Sequence, residues 1–473
     1  TYYRHGGGSG DFDYRVTLRA SADSGFNSLH DDKLVRVFTF RGDYQLTPND
    51  SLEFHTGLNS GPREVATIVD RKQNAESYFV QGLWRHQMEP GNEVRLQLYH
   101  NSDSTQDSYY AEALPLFGTV DLSRTGERTN IELQHVFSPS DPFNIVWGVE
   151  IRHDSANSAT LFGTRENVTN DLARLFGSFD WQLTENTNAS LGAMIEDNDI
   201  TNRSTSPRFA INHQLTPGHV LRASVSRATR TPSLFESHAN FGFIVNNAAG
   251  PPPQVALVEY IAPSVISAEK VESLELGYLF NLPRIGLSGD VRLFRENIED
   301  LFAGTNIAPA DIPATYNGVP IYAPASSLDT GTNDDQVTLR GVEIQTEFRP
   351  NGNNRVLFGA SFLDIDSSNI LENYQLSVPK KTASLMWIHE MPNSWSTGLS
   401  FYYVDELSYL DTSGNDIVGE QRRVDLRIAN EFKMYGYPAQ IAMVFQNMFD
   451  SYEDYTHSNM FDKRAYASLS VHY

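Results

Sequence analysis

The chain has 473 residues, no cysteine and a formal net charge of −23. That acidic balance excludes a nucleic-acid partner, which needs basic stripes, and suits solvated loops and a hydrated interior. No apolar run reaches the ~18 residues of a membrane-crossing helix, and the lack of cysteine fits passage through an oxidising compartment without mispairing.

Alternating runs bounded by turn residues predict about 21 strands. In chain order they begin with Thr1–Gly6, followed by the glycine-rich Gly7–Gly10. Asp11–Ala22, Asp32–Thr47, Asp50–Asn59, Asn74–Gln87, Asn92–Ser104, Thr125–Ser138 and Pro142–Asn157 follow. Next come Ala173–Thr184, Thr187–Ile200, Thr205–Thr216, Gly218–Thr229, Ser267–Asn281, Ile285–Phe302 and Asp334–Arg349. The series closes with Asn353–Ser367, Ser377–Glu390, Ser394–Leu410, Glu420–Lys433, Pro438–Phe449 and Lys463–Tyr473.

The connections alternate in length. Short ones fall at Pro48-Asn49, Met88–Gly91, Pro139–Asp141, Glu185-Asn186, Pro217, Leu282–Arg284, Pro350–Gly352, Met391–Asn393 and Met434–Tyr437. Most carry Pro, Gly, Asn or Asp, which pre-set turn dihedrals. The others are longer, the largest near residues 230–266 and 303–333. Short turns on one side and long loops on the other mark an outer-membrane β-barrel, with the turns periplasmic and the loops extracellular.

Strand faces agree. Leu221, Ala223 and Val225 alternate with Arg222, Ser224 and Ser226; Leu274, Leu276 and Tyr278 alternate with Ser273, Glu275 and Gly277; Val424, Leu426 and Ile428 alternate with Asp425, Arg427 and Ala429. A period of two puts each set on one face. The charges Arg222, Glu275, Asp290, Arg292, Glu343 and Arg427 are then expected in the lumen, paired or hydrated. The last strand ends on Tyr473, sharing a face with Val471 and Leu469, which resembles the terminal signal read by the barrel-insertion machinery. Counting back from a periplasmic Tyr473 makes Thr1–Gly6 a down-strand. An even-numbered barrel of about 22 strands is expected, with the first strand missing from this chain. Barrels of that size are plugged transporters.

A set of short motifs runs through the second half of the chain: Ser206-Pro207-Arg208, the run SRATRTPSLFE (Arg227, Arg230, Pro232, Ser233, Glu236), and KVESLELG (Glu272, Leu274, Glu275, Gly277). LFRENIEDLF (Phe294, Asn297, Ile298, Asp300, Leu301), RGVEIQ (Arg340, Gly341, Val342, Glu343), VPKKTASL (Pro379) and QNMFD (Asn447, Phe449, Asp450) follow them. In this order and at this spacing the set resembles the barrel of TonB-dependent outer-membrane receptors. The motifs cover residues 206–473, and residues 1–205 match only in general strand pattern. The resemblance implies a single barrel domain over 1–473, without the family's N-terminal plug and partner-engaging segment. It also implies a bacterial outer-membrane location, in contact with outer-membrane lipid and lipopolysaccharide. The implied function is energised uptake of a scarce ligand such as a ferric siderophore, with the plug and the TonB complex as partners of a monomeric full-length protein. Cobalamin, haem or oligosaccharide uptake, and a passive porin-like channel, remain alternatives.

Ligand contact is expected from loop aromatics, which give broad apolar contact at low entropic cost. The candidates are Tyr109 and Tyr110, then Phe241, Phe243 and Tyr260, then Tyr316 and Tyr322. The two largest loops are nearly free of Lys and Arg, which tilts the ligand toward a neutral or apolar face. His238 follows the RTPSLFE run, where haem-uptake members carry a loop histidine, but the second haem motif is not recognisable. No resident cofactor or metal site is expected: Asp311, Asp329, Asp334 and Asp335 lack a cation-loop spacing. Nor is an enzyme expected. His389-Glu390 begins a zinc-protease look-alike, yet Asn393 stands where a second histidine is required and Pro392 would break the helix. No nucleophile elbow is present.

Overall fold

The computed structural model describes residues 1–472 except 26–29, 66–70, 309–310, 323–327, 368–373, 411–416 and 455. Tyr473, and with it the terminal-aromatic expectation, lies outside the described residues. One sheet of 25 strands holds most of the chain. Four of its strands form two hairpins inside long connections, Ser108–Ala113 with Leu116–Asp121 and Asn240–Asn247 with Gln254–Ile261. The remaining 21 run from Tyr2–Ser9 to Arg464–Val471, each antiparallel to the next in chain order. Every strand expected from the sequence is among them. Because 21 is odd, the first and last strands run the same way, and among the described residues no pairing joins them.

Two expectations need correction. The first strand does not end at Gly6: Gly7 and Gly8 continue Tyr2–Ser9 and pair with Tyr14 and Asp13. A Cβ on Gly7 would meet the Tyr14 hydroxyl at 3.0 Å, so the glycine makes room for that ring. The turn proper falls at Gly10, which takes φ +61°. Loop lengths also sort less cleanly than expected, because residues 199–201 make a tight turn at the long-loop end. There Asn198 Oδ1 accepts from the amides of Ile200 and Thr201, and Asn202 takes the left-handed conformation its side chain tolerates.

The alternation separates two surfaces. Leu191, Leu221, Val225, Leu274, Leu276, Leu293, Phe362 and Leu399 all point outward and are exposed. That is what a lipid-facing wall requires and what a soluble protein avoids. Its upper edge is sharp across five consecutive strands, where Val225, Leu274, Leu293, Val342 and Phe362 give way to Arg227, Glu272, Arg295, Arg340 and Asp364. Its lower edge is a belt of rings near the short turns. Trp84 Nε1 donates to Asp50 Oδ1 at 3.1 Å, with His86 Nδ1 on the same oxygen at 2.8 Å. Trp387 and His389 repeat this on Asn354 Oδ1, both at 3.0 Å. His389 therefore sits in a strand with an assigned partner, which explains its zinc-protease look-alike without a metal.

The opposite face is ionic, and the charges expected there are paired. Arg222 bonds Asp290 at 2.6 Å, and Arg427 donates to Gln440 at 2.8 Å. Arg292 reaches Glu275 at 2.5 Å and Glu343 at 3.0 Å, with its guanidinium 4.6 Å above the Phe294 ring. Phe294 in turn lies over its cross-strand partner Gly341, where a Cβ would sit 2.5 Å from the ring. We expect Gly341→Val to cost about 1–3 kcal/mol by overpacking, read as a lowered midpoint of heat-induced gel-shift unfolding; an unchanged midpoint would refute the contact.

Short-turn geometry is set locally. At Thr216–Gly218, Gly218 takes φ +86°, and a Cβ there would lie 2.5 Å from the Asn281 carbonyl oxygen. Glycine is required on both counts.

Candidate functional site

Strand His219–Arg230 ends in a hub. Arg230 bonds Glu269 through Nε and Nη2, both at 2.6 Å, and Glu236 through Nη1 and Nη2, both at 3.0 Å. Glu269 also accepts the Phe302 amide at 3.0 Å. Beyond Arg230, Thr231 donates to Glu196 at 2.6 Å. The short helix Leu234–His238 then starts with Ser233 as N-cap, and Ser233 and Glu236 form a reciprocal capping box. The RTPSLFE motif is therefore a fastening device: it ties the foot of the largest loop to three strands.

Burial pushes the Glu236 carboxyl up, but Arg230 and the Ser233 amide outweigh it and hold it below its ordinary value. The folded value is the lower one, so the contribution is present above the usual carboxylate range of about 4.3 and is lost as pH falls through and below it. We expect the protection of the Leu234–His238 amides, measured relative to their intrinsic exchange rates at each pH, to fall on acidification below about pH 4 in the native protein, and in Glu236→Gln to be low at every pH.

Above the hub the long connections join into a roof. Asn246 and Asn247 pair with Phe117 and Leu116 of the neighbouring hairpin. On the other side Tyr260 bridges Asp329 in parallel, and Thr330 Oγ1 donates to the Ile261 carbonyl at 2.7 Å. The Tyr316 hydroxyl lies 3.0 Å from the Asn240 carbonyl and 3.1 Å from that of Gly242. Asn317 Nδ2 reaches the Gly163 carbonyl at 3.4 Å. Loops from widely separated strands thus hold one another across the mouth.

Two cavities flank the helix. One, of about 540 Å³, is ionic and is lined by Arg128, Arg152, Asp154, Arg230 and Leu234. Its cations are committed: Arg128 bonds Asp154 at 2.6 Å, and Arg152 Nε lies 3.1 Å from the same carboxylate, though not aimed at it. The other, of about 710 Å³, is of mixed polarity, with an apolar wall of Phe302, Val337, Leu339 and Ile365 beside Tyr260, Asn306, Asp329 and Tyr374. Phe235 of the helix stacks on Tyr260 with ring centres 5.3 Å apart. Burial, with the charge of Glu236 behind it, raises the Tyr260 hydroxyl to about 12.

The expected ligand residues are placed differently from one another. Tyr260 lines the second cavity, beside its apolar wall. Tyr316 is 5% exposed, and its hydroxyl is directed at the roof's main chain. Phe241 and Phe243 are half-buried in the hairpin strand Asn240–Asn247. Tyr322 is half-buried where its amide donates to the Ala256 carbonyl at 2.9 Å. Tyr109 lies under the Arg71 guanidinium at 4.6 Å, while Tyr110 is exposed. His238 is exposed, with Ser237 Oγ 2.8 Å from its Nδ1. Asp334 accepts from Thr332, and Asp335 is buried and accepts from Tyr374 at 2.8 Å. Among the described residues no three His, Asp or Glu side chains gather around a possible metal position. Sequence reasoning missed Leu339 and Ile365, because strand residues were read as wall. The signal existed: in Asn354–Ser367, Phe358 and Phe362 set the outward phase, and Ile365 falls on the inward one.

With the geometry in view, the chain can be compared with known proteins. A family model described as TonB dependent receptor-like, beta-barrel, matches residues 1–445. No curated protein matches. The solved siderophore receptor PirA from Acinetobacter baumannii superposes with a TM-score of 0.77 at 12% identity, over 97% of this chain and 75% of that one. The ferric enterobactin receptor PfeA of Pseudomonas aeruginosa, as an R480A mutant with enterobactin, gives 0.76 at 14%, over 99% and 77%. The copper transporter OprC gives 0.73 at 13%, over 97% and 77%. At these identities the structures speak to fold alone. The chain belongs to the TonB-dependent receptor β-barrel family. It is a transporter barrel, not an enzyme.

Proposed function

We propose that this barrel takes up a scarce ligand across the bacterial outer membrane, with energy from the TonB complex and with the long loops facing outward. The observation that supports this best is the roof. Hairpins from several connections lock together over cavities of about 540 and 710 Å³, the size range of small-molecule sites. A passive channel gains nothing from a roofed, ligand-sized mouth. A ferric siderophore is the first reading, in keeping with the siderophore and enterobactin receptors that share the fold; cobalamin, haem and oligosaccharide stand behind it. The same proposal makes residues 1–473 one barrel domain. It works as a monomer among lipid and lipopolysaccharide, with a plug supplied by the full-length protein. The ligand-binding set, Tyr109, Tyr110, Phe241, Phe243, Tyr260, Tyr316, Tyr322 and His238, is centred on Tyr260. Native mass spectrometry of full-length protein from iron-starved cells tests this: a co-purified iron chelate is expected, and an unliganded protein that conducts ions passively would refute it.

The parallel first and last strands call for one further strand between them, making about 22 in an even barrel. In full-length protein the amides of Arg464–Val471 should exchange as slowly as those of Gln421–Met434. Fast exchange at every second amide of Arg464–Val471, those facing away from its partner Tyr437–Gln446, would remove the extra strand.

A further inference from the structure

The inner wall is ionic over most of its surface, and one sector departs from that rule. Ile298, Leu301, Val337, Leu339, Ile365 and Tyr374 cluster on the inward side, with Val337 4% exposed and Ile365 9% exposed. A lumen facing water gives no reason for such a patch, and a plain packing core would close on itself. Here the patch fronts a cavity of about 710 Å³. The Tyr260 hydroxyl, buried at the cavity edge, has no hydrogen-bond partner among the described residues, an arrangement that is costly unless something else accepts from it. The second phenol is committed, since Tyr374 donates to Asp335 at 2.8 Å. Among the described lining residues there is no Lys, Arg or His, whereas Asp329 lines the cavity and Glu236 bears on Tyr260. A negatively charged group would meet carboxylates and no cation.

We propose that this cavity is a subsite for an uncharged, apolar ring-bearing part of the ligand that carries a carbonyl-type acceptor. Tyr260 donates to the acceptor, and the wall from Val337 to Ile365 receives the ring. Phe235 holds the Tyr260 ring in place by stacking at 5.3 Å. Phe302 is held because its own ring lies over Gly331, where no Cβ would fit. The inference deepens the uptake reading and rests on it for the direction from which ligand arrives. The ionic cavity on the far side of the helix is left for polar parts of the same ligand.

The test uses acetanilide, neutral with one carbonyl, and benzoate, its anionic counterpart. Both are titrated by saturation-transfer NMR into the full-length protein in lipid nanodiscs. Wild type is expected to bind acetanilide saturably and benzoate at least tenfold more weakly. Tyr260→Phe, which removes one oxygen and keeps the ring, should weaken acetanilide about fivefold and leave benzoate unchanged. Ile365→Asp should abolish acetanilide binding, and Ile365→Ala provides a milder variant should the aspartate disturb folding. Equal binding of the two probes, no saturable acetanilide binding, or an unchanged Tyr260→Phe would each overturn the subsite. Failure of the uptake reading shows separately, as a protein that binds acetanilide as expected but accumulates no iron chelate in energised cells.

Discussion

Arg230→Ala is expected to release the roof. It removes the cation shared by Glu269 and Glu236, whose side chains are 10% and 19% exposed. Stranding a buried carboxylate costs about 3–5 kcal/mol. Arg230 itself is 46% exposed, so solvent screening reduces the expected loss to about 1–2 kcal/mol. The functional effect should be larger than the stability effect. The helix Leu234–His238 loses its fastening, Phe235 no longer fixes Tyr260, and ligand affinity should fall at least about tenfold, equivalent to about 1.4 kcal/mol. Hydrogen exchange should localise the change to residues 231–261 while the strands stay protected. Arg230→Lys should recover little, because one ammonium cannot fork between two carboxylates. Global unfolding, or an unchanged loop, would contradict the hub's role.

Leu276→Arg is expected to have the largest effect on stability. Leu276 is 52% exposed on the outward face, between Ala223 and Leu293 on its two neighbouring strands. A guanidinium placed there meets hydrocarbon, at about 2–4 kcal/mol near the midplane. On the inward face of the same strand, Glu275→Gln should cost far less, since Arg292 keeps Glu343 at 3.0 Å. Urea unfolding in lipid vesicles reads both variants. Equal costs for the two would mean that the faces have been assigned wrongly.

The wall was legible because a period of two with lipid outside and water inside leaves little freedom. Leu274, Leu276 and Tyr278 alternate with charged or small partners, and the structure keeps that phase. Motif residues that look arbitrary in sequence also have physical roles. Glu275, Phe294, Gly341 and Glu343 come from three motifs and meet around Arg292 in one lumen cluster. Ser233 and Glu236 cap a helix that alternation alone could not predict. The roof was not legible. Its hairpins are pinned by contacts between distant loops, such as Asn246 with Phe117 and Tyr316 with Asn240, and no local pattern encodes such pairings. For the same reason aromatic content singled out Tyr260 and Tyr316 equally, although one edges a cavity and the other clamps main chain.

The central claim, energised uptake through a roofed receptor, is tested most directly by radiolabelled iron chelates given to iron-starved cells expressing the full-length protein, with and without a protonophore. Accumulation that saturates, stops when the proton gradient is collapsed, and is lost with Arg230→Ala is the expected result. Accumulation that rises linearly with concentration and continues without the gradient would identify a passive channel and contradict it.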